Sequence, residues 1–288
     1  MPELNFLPDD LAPGDQRILP LDLSPLTLVG IRNRHHPLFE AAYARLWREF
    51  GSLNEMESRE VLATRFAWYP VSRHGDRWFR YEMALVRRGE ESIAVRDHVA
   101  IVSQDSEGPC AVVHLSHVLV EPEWRRTGVA AWLRAVPIQT ARACLRAAGF
   151  PEDSPITLVA EMEHPDPTHE MRSIRLKAYE RAGFRKIDPR RIDYHQPDFR
   201  SPEAIDTAGG SQPVPFTLIV RRVGREEDHE MPSAEVKHII SSLYGMYATG
   251  VRAQDMQGLW RQLEGWPKGS EPVSLFLPTS GLGPAPEL

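Results

Sequence analysis

Two cysteines in 288 residues, Cys110 and Cys144, are too few for a disulfide framework or for a thiolate zinc site of the usual spacing. Both stand in apolar periodic stretches, where a thiol behaves as a small hydrophobe, and a reducing cytoplasm is the compartment that fits. A surplus of positive charge is also missing, since 34 Lys and Arg against 40 Asp and Glu leave a net −6. General nucleic-acid binding, which needs cations to displace counterions from phosphates, is thereby excluded, while a local basic site is not. No apolar run reaches membrane-spanning length, and Met1 to Asp10 carries prolines and acidic residues where a signal peptide would have basic residues and then an apolar stretch. The expectation is a cytoplasmic protein with no membrane partner and no metal.

With 42% hydrophobic and 26% charged residues, the composition is that of a globular chain able to bury a sizeable core. Thr27 to Ile31 reads as a strand, and Pro37 to Phe50 and Glu57 to Trp68 as helices, the second stopped by Pro70. The hydrophobic period then changes, and Trp78–Val86 and Ser92–Val102 form strands joined at Arg88-Gly89-Glu90. Cys110 to Val120 reads as a buried central strand. Beyond it the spacing predicts a helix from about Arg126 to Ala148, a strand at Ile156–Met162, a helix at Glu170–Ala182 capped by Gly183, and strands at Phe184–Ile187 and Phe216–Val223. Pro197 to Pro215 is a long polar loop. The charged run Arg225–Glu230 marks the domain break, giving a sheet-forming domain at 22–224 and an extension at 225–288. That extension holds two helices, Ser233–Ala248 and Ala253–Leu263, and a Pro/Gly-rich tail in which Val273–Leu277 pairs as an edge strand. The fold class is α/β, a central mixed twisted sheet flanked by helices with a C-terminal helical extension.

The chemistry concentrates at Val118-Leu119-Val120-Glu121-Pro122-Glu123-Trp124-Arg125-Arg126-Thr127-Gly128-Val129-Ala130. A buried strand runs into a tight turn and then a helix, whose N-terminus carries roughly +0.5 charge from the aligned peptide dipoles. Two guanidiniums and a residue without a Cβ stand at that terminus, which suits a pyrophosphate. The Gly-Lys-Ser/Thr of a phosphate-binding loop and the glycine triplet of a dinucleotide site are both absent.

This segment resembles the signature of the GNAT family of N-acyltransferases, in which apolar-x-Val-x-Pro leads to Arg/Gln-x-x-Gly-x-Gly/Ala, with Arg125, Gly128 and Ala130 at the defining positions. Downstream, Ala178-Tyr179-Glu180-Arg181-Ala182-Gly183-Phe184 looks like the family's Tyr-Glu-x-x-Gly-Phe. The resemblance covers roughly Thr27 to Val223 and implies the GNAT fold, with transfer of an acetyl or other short acyl group from acyl-CoA to an amine by direct attack on the thioester. By that logic Arg125, Arg126, Thr127, Gly128, Val129 and Ala130 hold the pyrophosphate of coenzyme A. Val118 and Val120 pair with its pantetheine arm, the Val118 amide lying near the thioester carbonyl.

A protonated amine cannot attack, so a base is required. His114 stands at the place where the family often carries one, and strand alternation puts His114, Ser116, Val118 and Val120 on one face and His117 on the other. Four residues at about 3.3 Å each are too long for direct contact, which implies a water relay with Ser116 on its path. Glu161 and Glu163 are the alternative bases. Tyr179 is the candidate acid for the leaving thiolate, and Arg172 occupies the position where members often have an Asn. Read singly, His114 is more readily a core histidine and Tyr179 a packing aromatic, and it is their place relative to the two motifs that offsets this. Tyr194 and Gln196 are the candidate acceptor-binding residues, for a small-molecule or peptide amine. The apolar stripes of the extension cap their own sheet or form a homodimer; an acyl-CoA-binding module without catalysis, its C-terminal helices serving association or regulation, is the competing function.

Overall fold

Residues of period two near Trp78 and of period three to four near Leu38 and Val129 separate strands from helices, and the computed structural model follows that division. It describes residues 10–18, 23–105, 107–164 and 170–281. The expectations for residues 1–9 and 282–288 lie outside the described residues. By compactness the chain divides into two units, 1–158 and 159–288.

The first unit runs β1 (Thr27–Ile31), α1 (Phe39–Phe50), α2 (Arg59–Arg65), β2 (Ser72–His74), β3 (Arg77–Arg88), β4 (Glu91–Asp105), β5 (Gly108–Val120) and α3 (Val129–Ala148). Its strands lie in the order β1-β3-β4-β5 with β2 on β3, all antiparallel. Helix α3 covers one face, burying Val129, Leu133 and Val136 with Ala84, Val86, Ile93 and Ala94. On the opposite face Phe39 of α1 meets Phe66 edge-on at 5.1 Å, and Phe66 meets Tyr81 of β3 at 4.9 Å. Ser58 starts α2 by accepting the Val61 N–H at 3.4 Å.

The β4–β5 ladder corrects the simple alternation. Asp97 faces His117 but Val99 faces His114, so β5 takes three steps where β4 takes two. The extra residue is a bulge at Leu115–Ser116. Asp97 and Val99 share a face of β4, so His117 and His114 share one also, the face toward α1 and α2. Val118 and Val120, opposite Arg96 and Ala94, lie on the α3 face. His114 therefore stands with His117 and away from Val118, the reverse of what an unbroken strand requires.

Strand β6 (Ile156–Met162) carries the chain from one unit into the next. The second unit continues with α4 (Glu170–Arg181), β7 (Arg185–Ile187), β8 (His195–Gln196), α5 (Pro202–Thr207), β9 (Val214–Pro215), β10 (Thr217–Arg222), β11 (Glu230–Met231), α6 (Ser233–Tyr247), α7 (Ala253–Glu264) and β12 (Val273–Phe276). Its strand order is β6-β10-β7-β12-β11, with β8 and β9 a separate ribbon. Two expectations change. The segment after Pro197 is not a bare loop, because Ser201 caps α5 and Val214 pairs with Gln196. Strand β12 is interior, bonded to β7 on one side and β11 on the other. Around 224/225, Arg221 pairs with Glu226 and Arg222 with Asp228 and Glu235. The stripe Ile239, Ile240, Leu243, Met246 and Tyr247 of α6 is buried, as are Met256, Leu259 and Leu263 of α7. Among the described residues no helix is long and apolar enough to cross a membrane.

Candidate active site

At the end of β5 the chain turns through Pro122–Trp124, passes Arg125 in extended conformation, and enters the left-handed region at Arg126 (φ 68°) and Gly128 (φ 93°). Glycine occupies that region freely, whereas a side chain there stores about 1–3 kcal/mol of strain, which Arg126 carries. The Thr127 hydroxyl donates to the Trp124 carbonyl at 2.6 Å and closes the turn. The first amide bonds of α3 run from Ala131 and Trp132 to the Gly128 carbonyl, so the N–H groups of Gly128, Val129 and Ala130 are left to the helix mouth. Arg125, Arg126 and Thr127 are exposed. The Arg125 Nε donates to the Val120 carbonyl at 3.2 Å. Among the described residues neither Arg125 nor Arg126 forms an ion pair. The nearby Glu121 is occupied by Arg45 and, at 3.9 Å, Arg48. The turn is thus a positive helix mouth with two available guanidiniums, a donor set that fits a diphosphate.

His114 is buried, and its Nδ1 lies 3.0 Å from the Ser116 hydroxyl, so the two residues expected on one relay are in hydrogen-bond contact. His117, passed over by sequence reasoning, sits in a denser network. Its Nδ1 is 2.9 Å from Asp97 Oδ1, its Nε2 is 3.0 Å from the Glu55 carbonyl, and its backbone N–H donates to Asp97 Oδ1 at 3.0 Å. The Tyr81 hydroxyl donates to Asp97 Oδ2 at 3.3 Å. Burial alone would lower the imidazole's pKa, but the Asp97 carboxylate and these hydrogen bonds outweigh it and raise the value to about 9. The Asp97 carboxyl, penalised by burial, is nonetheless held below its ordinary value by His117. His98, on the α3 face with Nε2 2.8 Å from the Thr140 hydroxyl, is pushed down to about 4 by burial and stays neutral. Burial likewise pushes the Cys144 thiol up to about 12, while Cys110 is half-buried.

In the second unit Tyr179 is buried on α4, its ring edge-on to Phe184 at 4.9 Å. Gly183 takes φ 78°, the Phe184 N–H reaches the Tyr179 carbonyl at 3.1 Å, and the Gly183 N–H reaches the Glu180 carbonyl at 3.0 Å. That is a Schellman helix ending with its usual apolar clasp, and it explains the Tyr, Gly and Phe of the second motif in local terms. Glu163 is taken by Arg172 and Arg175, which gives Arg172 a partner. Glu161 instead accepts from two phenols, Tyr194 at 2.5 Å and Tyr247 at 2.6 Å. Burial and Glu161 raise the Tyr194 pKa well above the ordinary tyrosine value. Tyr244 stacks on Tyr194 at 5.5 Å and donates to the His195 carbonyl at 3.1 Å. Gln196 is buried in β8 opposite Val214. Tyr244 and Tyr247 are concealed in the sequence by the apolar stripe they belong to. Their spacing of three on one helix face is the signal available.

No family model matches the chain, and no curated relative does. Solved structures similar to it include an aminoglycoside acetyltransferase, meta-AAC0020, from an uncultured soil metagenomic sample. That match has 13% identity and a TM-score of 0.32, over 54% of this chain and 86% of that one. A GCN5-related N-acetyltransferase from Sphaerobacter thermophilus matches at 17% identity and a TM-score of 0.31, over 57% and 45%. FeeM, an N-acyl amino acid synthase from uncultured soil microbes, matches at 11% identity and a TM-score of 0.36, over 70% and 92%.

Proposed function

We propose that this chain is an N-acyltransferase that moves an acetyl or other short acyl group from acyl-CoA to an amine. The observation that carries the reading is the turn between β5 and α3, where left-handed Arg126 and Gly128 open a helix mouth beside two guanidiniums that, among the described residues, have no carboxylate partner. The N–H groups of Gly128, Val129 and Ala130 would bind the diphosphate, with Arg125, Arg126 and Thr127 closing over it. Val118 and Val120 would take the pantetheine arm along β5. Bound there, acyl-CoA supplies an activated acyl carbon.

The remaining tasks are proton transfers. The acceptor ammonium must lose a proton before its nitrogen can attack. His114 lies on the face away from Val118, and its hydrogen-bond contact with Ser116 at the bulge is what supports it as the leading base with Ser116 as its relay. Of the two alternative carboxylates, Glu163 is committed to two arginines, which leaves Glu161 with its phenol donors as the second candidate. Tyr179 would return a proton to sulfur, and Tyr194 and Gln196 would border a small-molecule or peptide amine. A non-catalytic acyl-CoA-binding module, with α6 and α7 serving association, is favoured by one observation, the local helix-ending role of Tyr179.

The test is thiol release from acetyl-CoA across a panel of amines and peptides. Release with some acceptor supports transfer; coenzyme A binding with no release from any acceptor supports the module. Tyr179→Phe is expected to lower turnover about 10²–10⁴-fold at unchanged coenzyme A affinity. Equal loss of both would mean that the tyrosine only packs.

A further inference from the structure

A buried ion pair is costly to desolvate, and replacing one by apolar residues of equal volume often stabilises a protein. What the Asp97–His117 pair does is therefore read from its place in the fold rather than from its burial alone. It stands beside the bulge of β5, where the ladder loses its regular bonding. There a side chain substitutes for the strand, because Asp97 Oδ1 accepts both the backbone N–H and the Nδ1–H of His117. Tyr81 from β3 and the Glu55 carbonyl beyond α1 hold the other ends, and the Phe50 ring lies 5.1 Å from the imidazole. With acceptors at both nitrogens, the ring is an imidazolium. The titratable groups around it are Asp97, His114, and Glu57 with Arg65, which pair with each other.

We infer that Asp97 and His117 are a positioning pair that pins the β5 bulge and so fixes Ser116 and His114 in register against Val118 and Val120. The inference rests on the acyl-transfer reading. Its physical core is that a one-residue slip moves side chains to the other face of a sheet. Without the bulge, His114 would leave the face it shares with His117 for that of Val118 and Val120, and the Ser116–His114 contact formed at the bulge would not be held. Both residues act through the strand and not on the reacting atoms.

The full chain carrying Asp97→Asn and His117→Gln together removes both charges, so no uncompensated ion stays buried. We expect kcat to fall roughly 10–100-fold, the cost of misplacing reacting groups by about an ångström, while the Kd for coenzyme A stays within about threefold. Backbone hydrogen exchange should speed up at residues 115–117 and not across the rest of β4 and β5. A kcat within twofold of wild type, or exchange speeding evenly along both strands, would overturn the inference. Should the double variant not fold, the wild-type chain still decides it. The His117 imidazole resonances should keep their charged-form shifts from about pH 6 to pH 8, and a midpoint near the ordinary value would refute the pin. A wild type that binds no coenzyme A, with the exchange and imidazole results as expected, would sink the acyl-transfer reading alone.

Discussion

Near the end of β5, His117 and its β4 partner Asp97 answer each other's charge inside the protein, whereas past that strand, beyond the next turn, Arg125 and Arg126 stand exposed with no ion pair among the described residues. Both places depart from regular backbone, one by a bulge and the other by two left-handed residues. A polar group already satisfied in the fold is committed to holding shape. A cation and a row of amides left over at a helix mouth are available to an anion from outside. The difference teaches how to separate positioning groups from binding groups: by who answers their charge, not by how polar they are.

The largest effect should come from breaking the satisfied end. Asp97→Ala leaves a buried imidazolium uncompensated and is expected to cost about 3–5 kcal/mol in denaturant unfolding. The pair also predicts a pH window. His117 has its pKa raised in the folded state, so its contribution is complete below about 6.5 and lost as pH climbs through about 9. Asp97 has its pKa lowered, so its contribution is present above 3.8 and lost as pH falls through the lower folded value. The stability gap between wild type and the doubly neutral variant should form a plateau between those limits. A gap that grew on raising pH from 6.5 to 9 would contradict the assignment of charge.

At the open end, Gly128→Val places a β-branched side chain at φ 93°. About 1–3 kcal/mol of stability should go, and coenzyme A affinity should fall by more than that strain accounts for, as isothermal titration would show. Smallest of all, Arg126→Ala should leave unfolding within about 0.5 kcal/mol of wild type, since among the described residues no ion pair is lost. Its effect should appear as a few-fold weaker coenzyme A affinity with a shallower dependence on salt. If Arg126→Ala destabilised the chain as much as Asp97→Ala, the contrast between the two places would collapse.

Local features are legible in the order of residues. The turn at Glu121–Gly128 and the helix ending at Tyr179–Phe184 are written within a few consecutive positions, because caps, left-handed glycines and tight turns are decided by near neighbours. The α/β alternation is legible for the same reason. Interior placement of β12 is not, since its two partners are β7 and β11 and nothing in Val273–Phe276 names them.

The amino-acid order alone determined where the long strands and helices lie and that a helix mouth with two cations follows the central strand. Tertiary structure alone decided which histidines share a face, because a bulge depends on how two strands pair and not on either one. It alone joined Asp97 to His117 across 20 residues and Tyr247 to Glu161 across 86. Such contacts repay the entropy of closing long loops only once the sheet and helices between them have formed.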